Sequence, residues 1–189
     1  MKTRPHIWFL TPAALAAGVL FSCTSNTVEE VLEYSSSGPV PNRITLDVTY
    51  VFTEGGRVQN ELYTARAEQF QTPDSSYNLL TGGFELTFYN EDQEFDGRLT
   101  ARNGFILGDN SMMIARDSVV FVNNLGETLY TEELIWRQDS AVVYTDKFVT
   151  IERTDDIIYG KGMVSDQNFT NYNIKDVTGI FYLNEEEDL

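Results

Sequence analysis

Short apolar runs rich in Val, Ile, Thr, Tyr and Phe alternate with turn-forming residues from Arg43 onward, and helical periodicity is almost absent. The alternation predicts short strands at residues 44–52, 61–65, 84–89, 98–102, 118–122, 128–132, 141–145, 148–152, 157–160 and 177–183. Pairs such as Gly55-Gly56, Gly82-Gly83 and Asp155-Asp156 separate these runs and favour tight turns. Turns this frequent predict an all-β, antiparallel architecture.

A weak internal repeat of about 30 residues runs through the predicted strands. One unit recurs at residues 99–101, 129–131 and 158–160, and a second recurs at 114–117, 144–147 and 174–177. Because each repeat holds two or three short strands, the pattern favours an open stack of β-sheet over a closed sandwich. An open stack leaves an unpaired strand at each end.

The chain has 189 residues, with 13 Lys and Arg against 29 Asp and Glu, and a formal net charge of −16. This balance disfavours nucleic acid as a partner, because binding to phosphates needs clustered positive charge. His6 and Cys23 are the single histidine and cysteine, so the chain beyond residue 23 has no imidazole or thiol for catalysis or zinc binding. We therefore expect no enzyme, no catalytic residue, no metal and no cofactor. A glycosidase with two facing carboxylates is an alternative, but no pair of acids stands out.

The first 22 residues have the features of a secretory signal, because Lys2 and Arg4 precede a mainly apolar run. The run ends in Leu20-Phe21-Ser22-Cys23, which resembles the lipobox of bacterial lipoproteins, where the cysteine carries the lipid. An ordinary secretory signal with an incidental cysteine is the alternative. The predicted organisation is a lipoprotein signal peptide at 1–22, a flexible tether at 23–42, a β domain at 43–184 and an acidic tail at 185–189.

Five segments carry a resemblance to a known family through their order and spacing. They are GRLTA (97–101), MIARDSVVF (113–121), NLGETLYTEELIW (124–136), YTDKFVTI (144–151) and GKGM (160–163). Over residues 44–182 the chain resembles LptC, the periplasmic component of the lipopolysaccharide-export transporter. The resemblance implies an open, V-shaped antiparallel β-jellyroll with an apolar interior. It also implies a periplasmic lipid-binding protein that accepts lipopolysaccharide from an inner-membrane ABC transporter and passes it to a bridge protein of like fold.

The anchor departs from that family, which commonly begins with a transmembrane helix. Here a lipidated Cys23 would hold the protein on a bacterial membrane, facing the periplasm, and the sequence leaves open which membrane that is. The alternative function is a β-rich lipoprotein that scaffolds an envelope assembly and carries no lipid.

Strand alternation places one set of apolar side chains inward, and these are sufficient to line a groove for acyl chains. The predicted lipid-binding residues are Leu86, Phe88, Leu99, Ile114, Val119, Phe121, Leu129 and Val149. A close-packed core is the alternative for the same residues. The acidic body is expected to hold a lipid by its chains. Four recurrent arginines either pair with neighbouring acids or contact a lipid phosphate, namely Arg66, Arg98, Arg102 and Arg116.

The last predicted strand ends in Ile180, Phe181 and Tyr182, and only an acidic tail follows it. This edge is the predicted docking surface for the bridge protein, by addition of a strand from the partner. The resemblance also implies a backbone-critical segment at Gly160 and Gly162. A bulge or close strand contact accounts for these glycines, and a simple turn is the alternative.

Overall fold

The computed structural model describes residues 39–167 and 169–182. Within these ranges the chain forms strands and no helix. The strands are β1 (Arg43–Glu54), β2 (Arg57–Gln71), β3 (Ser76–Tyr89), β4 (Phe95–Ala101), β5 (Asn103–Leu107), β6 (Met112–Asn123), β7 (Thr128–Arg137), β8 (Val142–Glu152), β9 (Asp156–Asp166) and β10 (Tyr172–Tyr182). In this part of the chain, nothing helical has the length and apolar character that a membrane crossing needs. The predicted signal peptide, Cys23, most of the tether and the acidic tail lie outside the described residues.

All strands belong to one antiparallel sheet in which neighbours in sequence are neighbours in space. The order runs from β1 to β10, and β4 and β5 act as one interrupted strand between β3 and β6. The predicted all-β, antiparallel class is therefore confirmed. Several strands are longer than predicted, and Gly82-Gly83 lies inside β3 instead of forming a turn.

A line of irregular positions crosses the strands near their middles. Positive φ angles occur on this line at Asp47, Gly82, Gly83, Asp117, Ser118 and Gly162. Register shifts lie beside it at five places: Thr64/Arg66, Arg116/Val119, Thr131/Ile135, Thr145/Phe148 and Val177/Gly179. Because bulges bend a strand and increase its twist, this line, which we call the bend, folds the sheet across its width.

The bend divides the sheet into two arms. The first arm holds residues 43–46, 66–81, 103–116, 133–145 and 163–175, and the second holds residues 48–64, 84–101, 119–131, 148–161 and 177–182. Their inner faces pack together, because Leu80 and Ala115 of the first arm join the same buried cluster as Phe84 and Phe121 of the second. The hydrophobic core is thus the space between the arms.

Buried hydroxyl groups satisfy backbone groups that the bend removes from the regular ladder. The Thr64 hydroxyl donates to the Gly83 carbonyl at 3.3 Å, and the Thr131 hydroxyl donates to the Phe148 carbonyl at 2.9 Å. The Thr145 hydroxyl accepts the Lys147 N–H at 3.1 Å. No buried side-chain polar atom in the described ranges lacks a partner. The bend is therefore built into the fold at low cost, because a buried polar group without a partner would destabilise it.

Candidate functional site

Most side chains predicted to bind lipid line the space between the arms. Leu86, Leu99, Val119, Phe121, Leu129 and Val149 belong to the buried cluster, and the partly buried Phe88 packs against it. Ile114 does not, because it alternates with the buried Met113 and Ala115 and therefore lies on the outer face. The predicted inward orientation is wrong for Ile114, where the alternation along β6 places Met113 and Ala115 inside instead.

The interior between the arms is filled by side chains. Val149 is fully buried, and Val119 and Met163 are each 1% exposed. The internal cavity beside Phe121, Leu129, Ile151 and Met163 has a volume of about 20 Å³, which is room for about one water molecule. In this structure the predicted lipid groove is therefore a close-packed core, and a bound chain must displace side chains to enter it.

A larger cleft opens at the ends of the arms, where four hairpin turns meet. It has a volume of about 1080 Å³. Its lining is mixed: amide, hydroxyl and carboxylate groups come from Asn123, Asn124, Glu127, Ser140, Asp166, Thr170, Asn171 and Asn173, and apolar groups from Leu125, Ala141, Val142, Val164 and Phe169. This cleft adjoins the apolar interior, an arrangement that suits a ligand with a polar part and a hydrocarbon part.

The one arginine of the cleft is ion-paired, and the cleft carboxylates accept hydrogen bonds from neighbouring amides. Arg153 donates to both carboxylate oxygens of Asp156 at 2.7 Å, and these hydrogen bonds raise the pKa of its guanidinium, which stays charged. Burial raises the pKa of the Tyr172 phenol, and the carboxylate of Glu127 raises it further. Tyr172 therefore stays neutral at physiological pH and offers a hydroxyl group at the boundary with the core.

Phe169 is a residue of the cleft that the sequence patterns did not single out. It lies in the turn between β9 and β10, is 7% exposed, and stacks on Phe121 with ring centroids 3.8 Å apart. Its neighbours Asp166, Gln167, Thr170 and Asn171 are polar, so its segment has no strand or helix pattern. A single aromatic residue within a polar turn was the available signal.

Three of the four recurrent arginines pair with acids on the sheet surface. Arg66 contacts Glu68, Arg98 lies 3.6 Å from Glu85, and Arg116 lies 2.6 Å from Glu133. This leaves the phosphate alternative without support at these three positions. Exposed pairs of this kind contribute little to stability.

The two end strands of the sheet are unpaired on their outer sides within the described residues. On β10, Ile180 is 47% exposed, Phe181 66% and Tyr182 74%. On β1, the apolar side chains of Leu46 and Val51 are also exposed. Both edges present backbone groups and apolar side chains to a partner strand.

Gly160 and Gly162 lie within β9, next to the edge strand. A Cβ added at Gly160 would lie 2.2 Å from Ile174 Cγ2 and 3.0 Å from the Asp176 carbonyl oxygen. Gly162 has a φ of 80° at the bend. The close-contact explanation is therefore right for Gly160, a bend position explains Gly162, and the simple turn is wrong for both.

Metal chemistry finds no support in the described ranges, where no group of three or more His, Cys, Asp and Glu side chains could hold a metal ion.

A comparison with known families gives one informative match. The family model described as "Lipopolysaccharide-assembly, LptC-related" matches residues 24–180. No curated protein gives a significant match.

Proposed function

Since the chain belongs to the LptC-related lipopolysaccharide-assembly family, and is therefore a non-enzymatic, periplasmic component of lipopolysaccharide transport, we propose how it takes part. It receives lipopolysaccharide from an inner-membrane ABC transporter, holds the acyl chains between its two arms, and passes the lipid to a bridge protein of like fold. The observation that carries this proposal is the pair of apolar inner faces, joined at the bend and bordered at their ends by a cleft of mixed polar and apolar lining.

Electrostatics supports binding through the acyl chains. The chain has a net charge of −16, and three of the recurrent surface arginines already pair with acids. An anionic head group gains little from such a surface, whereas each buried methylene of an acyl chain contributes about 0.8 kcal/mol. The lipid is therefore held by its chains, with its charged groups in water.

Photocrosslinking in cells tests the lipid site with matched neighbouring positions. A photoreactive phenylalanine analogue replaces either Leu129, which is 4% exposed on the inner face, or Tyr130, which is 40% exposed on the outer face. We expect crosslinks to lipopolysaccharide from position 129 and few from position 130. Equal crosslinking from both positions, or none from 129, would contradict the proposal. No crosslink with normal partner association would favour the lipid-free scaffold instead.

The docking edge is proposed to be Ile180, Phe181 and Tyr182 of β10. Their exposure and the open side of β10 support addition of a strand from the bridge protein. Ile180→Pro removes one backbone donor from this edge and should block pull-down of the bridge protein, while circular dichroism shows an unchanged fold. The matched variant is Leu46→Pro on β1. If Leu46→Pro blocks pull-down of the bridge protein and Ile180→Pro does not, the docking site is on β1 and not on β10.

Lipidation of Cys23 is proposed as the anchor, on the basis of Leu20-Phe21-Ser22-Cys23 after the apolar run. Cys23→Ser should abolish metabolic labelling with palmitate and release the protein from the membrane fraction. Unchanged labelling would assign the lipid elsewhere, and a soluble, unlabelled wild type would support an ordinary secretory signal.

A further inference from the structure

Phe169 connects the two arms at the end where the sheet is open. Its backbone belongs to the β9–β10 turn of the first arm, and its ring stacks on Phe121 of β6 in the second arm, with 22° between the ring planes. The ring thus lies across the entrance to the interior.

The ring separates the cleft from the core. Phe169 lines both the cleft of about 1080 Å³ and the internal cavity of about 20 Å³, as do Asn123, Glu127 and Tyr172. On the inner side the ring meets the space beside Leu129, Ile151 and Met163. Removing the ring would join the two spaces into a single amphipathic pocket.

The backbone of Phe169 has a conformation that is unfavourable for a bulky residue. Its φ is 53°, a left-handed conformation that bulky residues rarely adopt. The Asp166 carboxylate fixes the end of the turn by accepting the N–H groups of Thr170 at 2.8 Å and Asn171 at 3.1 Å. Burial of the ring keeps this strained residue in place. Release of the ring from the core therefore also releases backbone strain.

We propose that the Phe169 ring occupies a binding subsite for one hydrocarbon chain of an amphiphile. A bound acyl chain displaces the ring and packs against Phe121 in its place. This inference rests on the function proposed above. The cleft then receives the polar part of the same ligand. Asp96, Glu127 and Asp166 line that cleft, and its one arginine, Arg153, is paired with Asp156. The part of the ligand that lies in the cleft is accordingly uncharged and hydroxylated, such as a sugar ring, and the charged groups of the ligand stay in water.

The test compares Phe169→Ala with Phe70→Ala in the full chain. Phe70 is a matched control, because it is 6% exposed and stacks on Tyr77 at 4.9 Å, yet lines neither cavity. The probe is the neutral fluorophore N-phenyl-1-naphthylamine, displaced by dodecyl maltoside below its micelle concentration. Phe169→Ala should bind the fluorophore about ten-fold more tightly than wild type, since no ring must leave. Phe70→Ala should bind it like wild type. Equal affinity in both variants would overturn the proposal.

A second variant keeps an aromatic ring in place and reports its position. Phe169→Trp, made together with Trp136→Phe, makes the indole at position 169 the one tryptophan after the predicted signal peptide of residues 1–22. Dodecyl maltoside should shift the emission to longer wavelength as the indole leaves the core. An unshifted emission while the detergent displaces the fluorophore would show that the ring stays in place and would overturn the proposal.

Crosslinking separates this inference from the proposed function. If position 129 crosslinks to lipopolysaccharide in cells but Phe169→Ala binds the fluorophore like wild type, the function stands and the subsite at Phe169 is wrong. If Phe169→Ala opens the site to both probes but position 129 gives no lipopolysaccharide crosslink, the subsite stands and the proposed cargo is wrong.

Discussion

Gly160→Ala should destabilise the protein where β9 pairs with the edge strand β10. The added methyl group would lie 2.2 Å from Ile174 Cγ2 and 3.0 Å from the Asp176 carbonyl oxygen. Ile174 is β-branched and packs against the core, so its χ1 cannot rotate freely to make room. Either Ile174 leaves the core or β10 moves away from β9. Overpacking of this kind costs about 1–3 kcal/mol.

That loss can be measured by urea unfolding of the full chain. A change of about 2 kcal/mol should lower Tm by roughly 4–8 °C and reduce the urea midpoint with little change in m. Gly179→Ala is the matched control in the neighbouring strand, because its added Cβ would meet Tyr159 at 3.8 Å, an ordinary contact. We expect less than about 0.5 kcal/mol from the control.

A double-mutant cycle locates the clash. In the Ile174→Ala background the opposing Cγ2 is gone, so Gly160→Ala should cost about 1 kcal/mol less than in the wild type. The reasoning is refuted if the two single changes simply add, or if Gly160→Ala and Gly179→Ala are equally stable.

Three further predictions concern the bend. Gly162→Ala should cost about 1 kcal/mol in chemical unfolding, because the φ of 80° strains any residue with a Cβ. Thr145→Val should cost about 1 kcal/mol by the same assay, because it removes the hydrogen bond from the Lys147 N–H to the buried hydroxyl, whereas Thr145→Ser should retain most of the stability. Hydrogen bonding to Lys175 lowers the pKa of Asp146, so the folded state favours its ionised form. This small stabilisation is present above the ordinary aspartate pKa and is lost as pH falls through the lowered value, and Asp146→Asn should remove that part of the acid dependence of Tm.

The internal repeat in the sequence corresponds to a physical unit of the fold. In residues 129–131, Leu129 and Thr131 are buried and Tyr130 between them is exposed, and Leu62, Tyr63 and Thr64 show the same burial pattern. The copies of this first unit end with a small or hydroxylated residue beside the bend, at Ala101, Thr131 and Gly160. The sequence therefore predicted part of nearly every strand, because alternation is imposed locally by the pleat. It missed β5, and it divided β8 into two strands, at 141–145 and 148–152.

The bend itself could not be predicted from the same patterns. Gly82-Gly83 has the composition of a turn, yet both residues adopt positive φ inside β3 because neighbouring strands bulge at the same level. Asp117 and Ser118 also have positive φ without any glycine to signal it. These conformations follow from strand pairing across the whole sheet, which no local window contains. The same holds for Phe169, whose ring finds its partner 48 positions earlier in the sequence, at Phe121.

Under the function proposed above, the protein must remain soluble when it holds no acyl chain, and the filled interior meets that requirement. An open apolar trough between the arms would expose a large patch and promote aggregation. Burial of one Phe side chain contributes about 1.5–3 kcal/mol, whereas an acyl chain of about twelve carbons contributes roughly 10 kcal/mol at 0.8 kcal/mol per methylene. The free energy gained by burying an acyl chain from water therefore exceeds the cost of exposing the Phe169 ring by a wide margin. When the acyl chain comes from another apolar site, most of the gain from burial cancels, because the chain is buried before and after the transfer. The few kcal/mol needed to expose the Phe169 ring then decide whether the lipid stays bound. An easily displaced ring thus favours passage of the lipid over its retention.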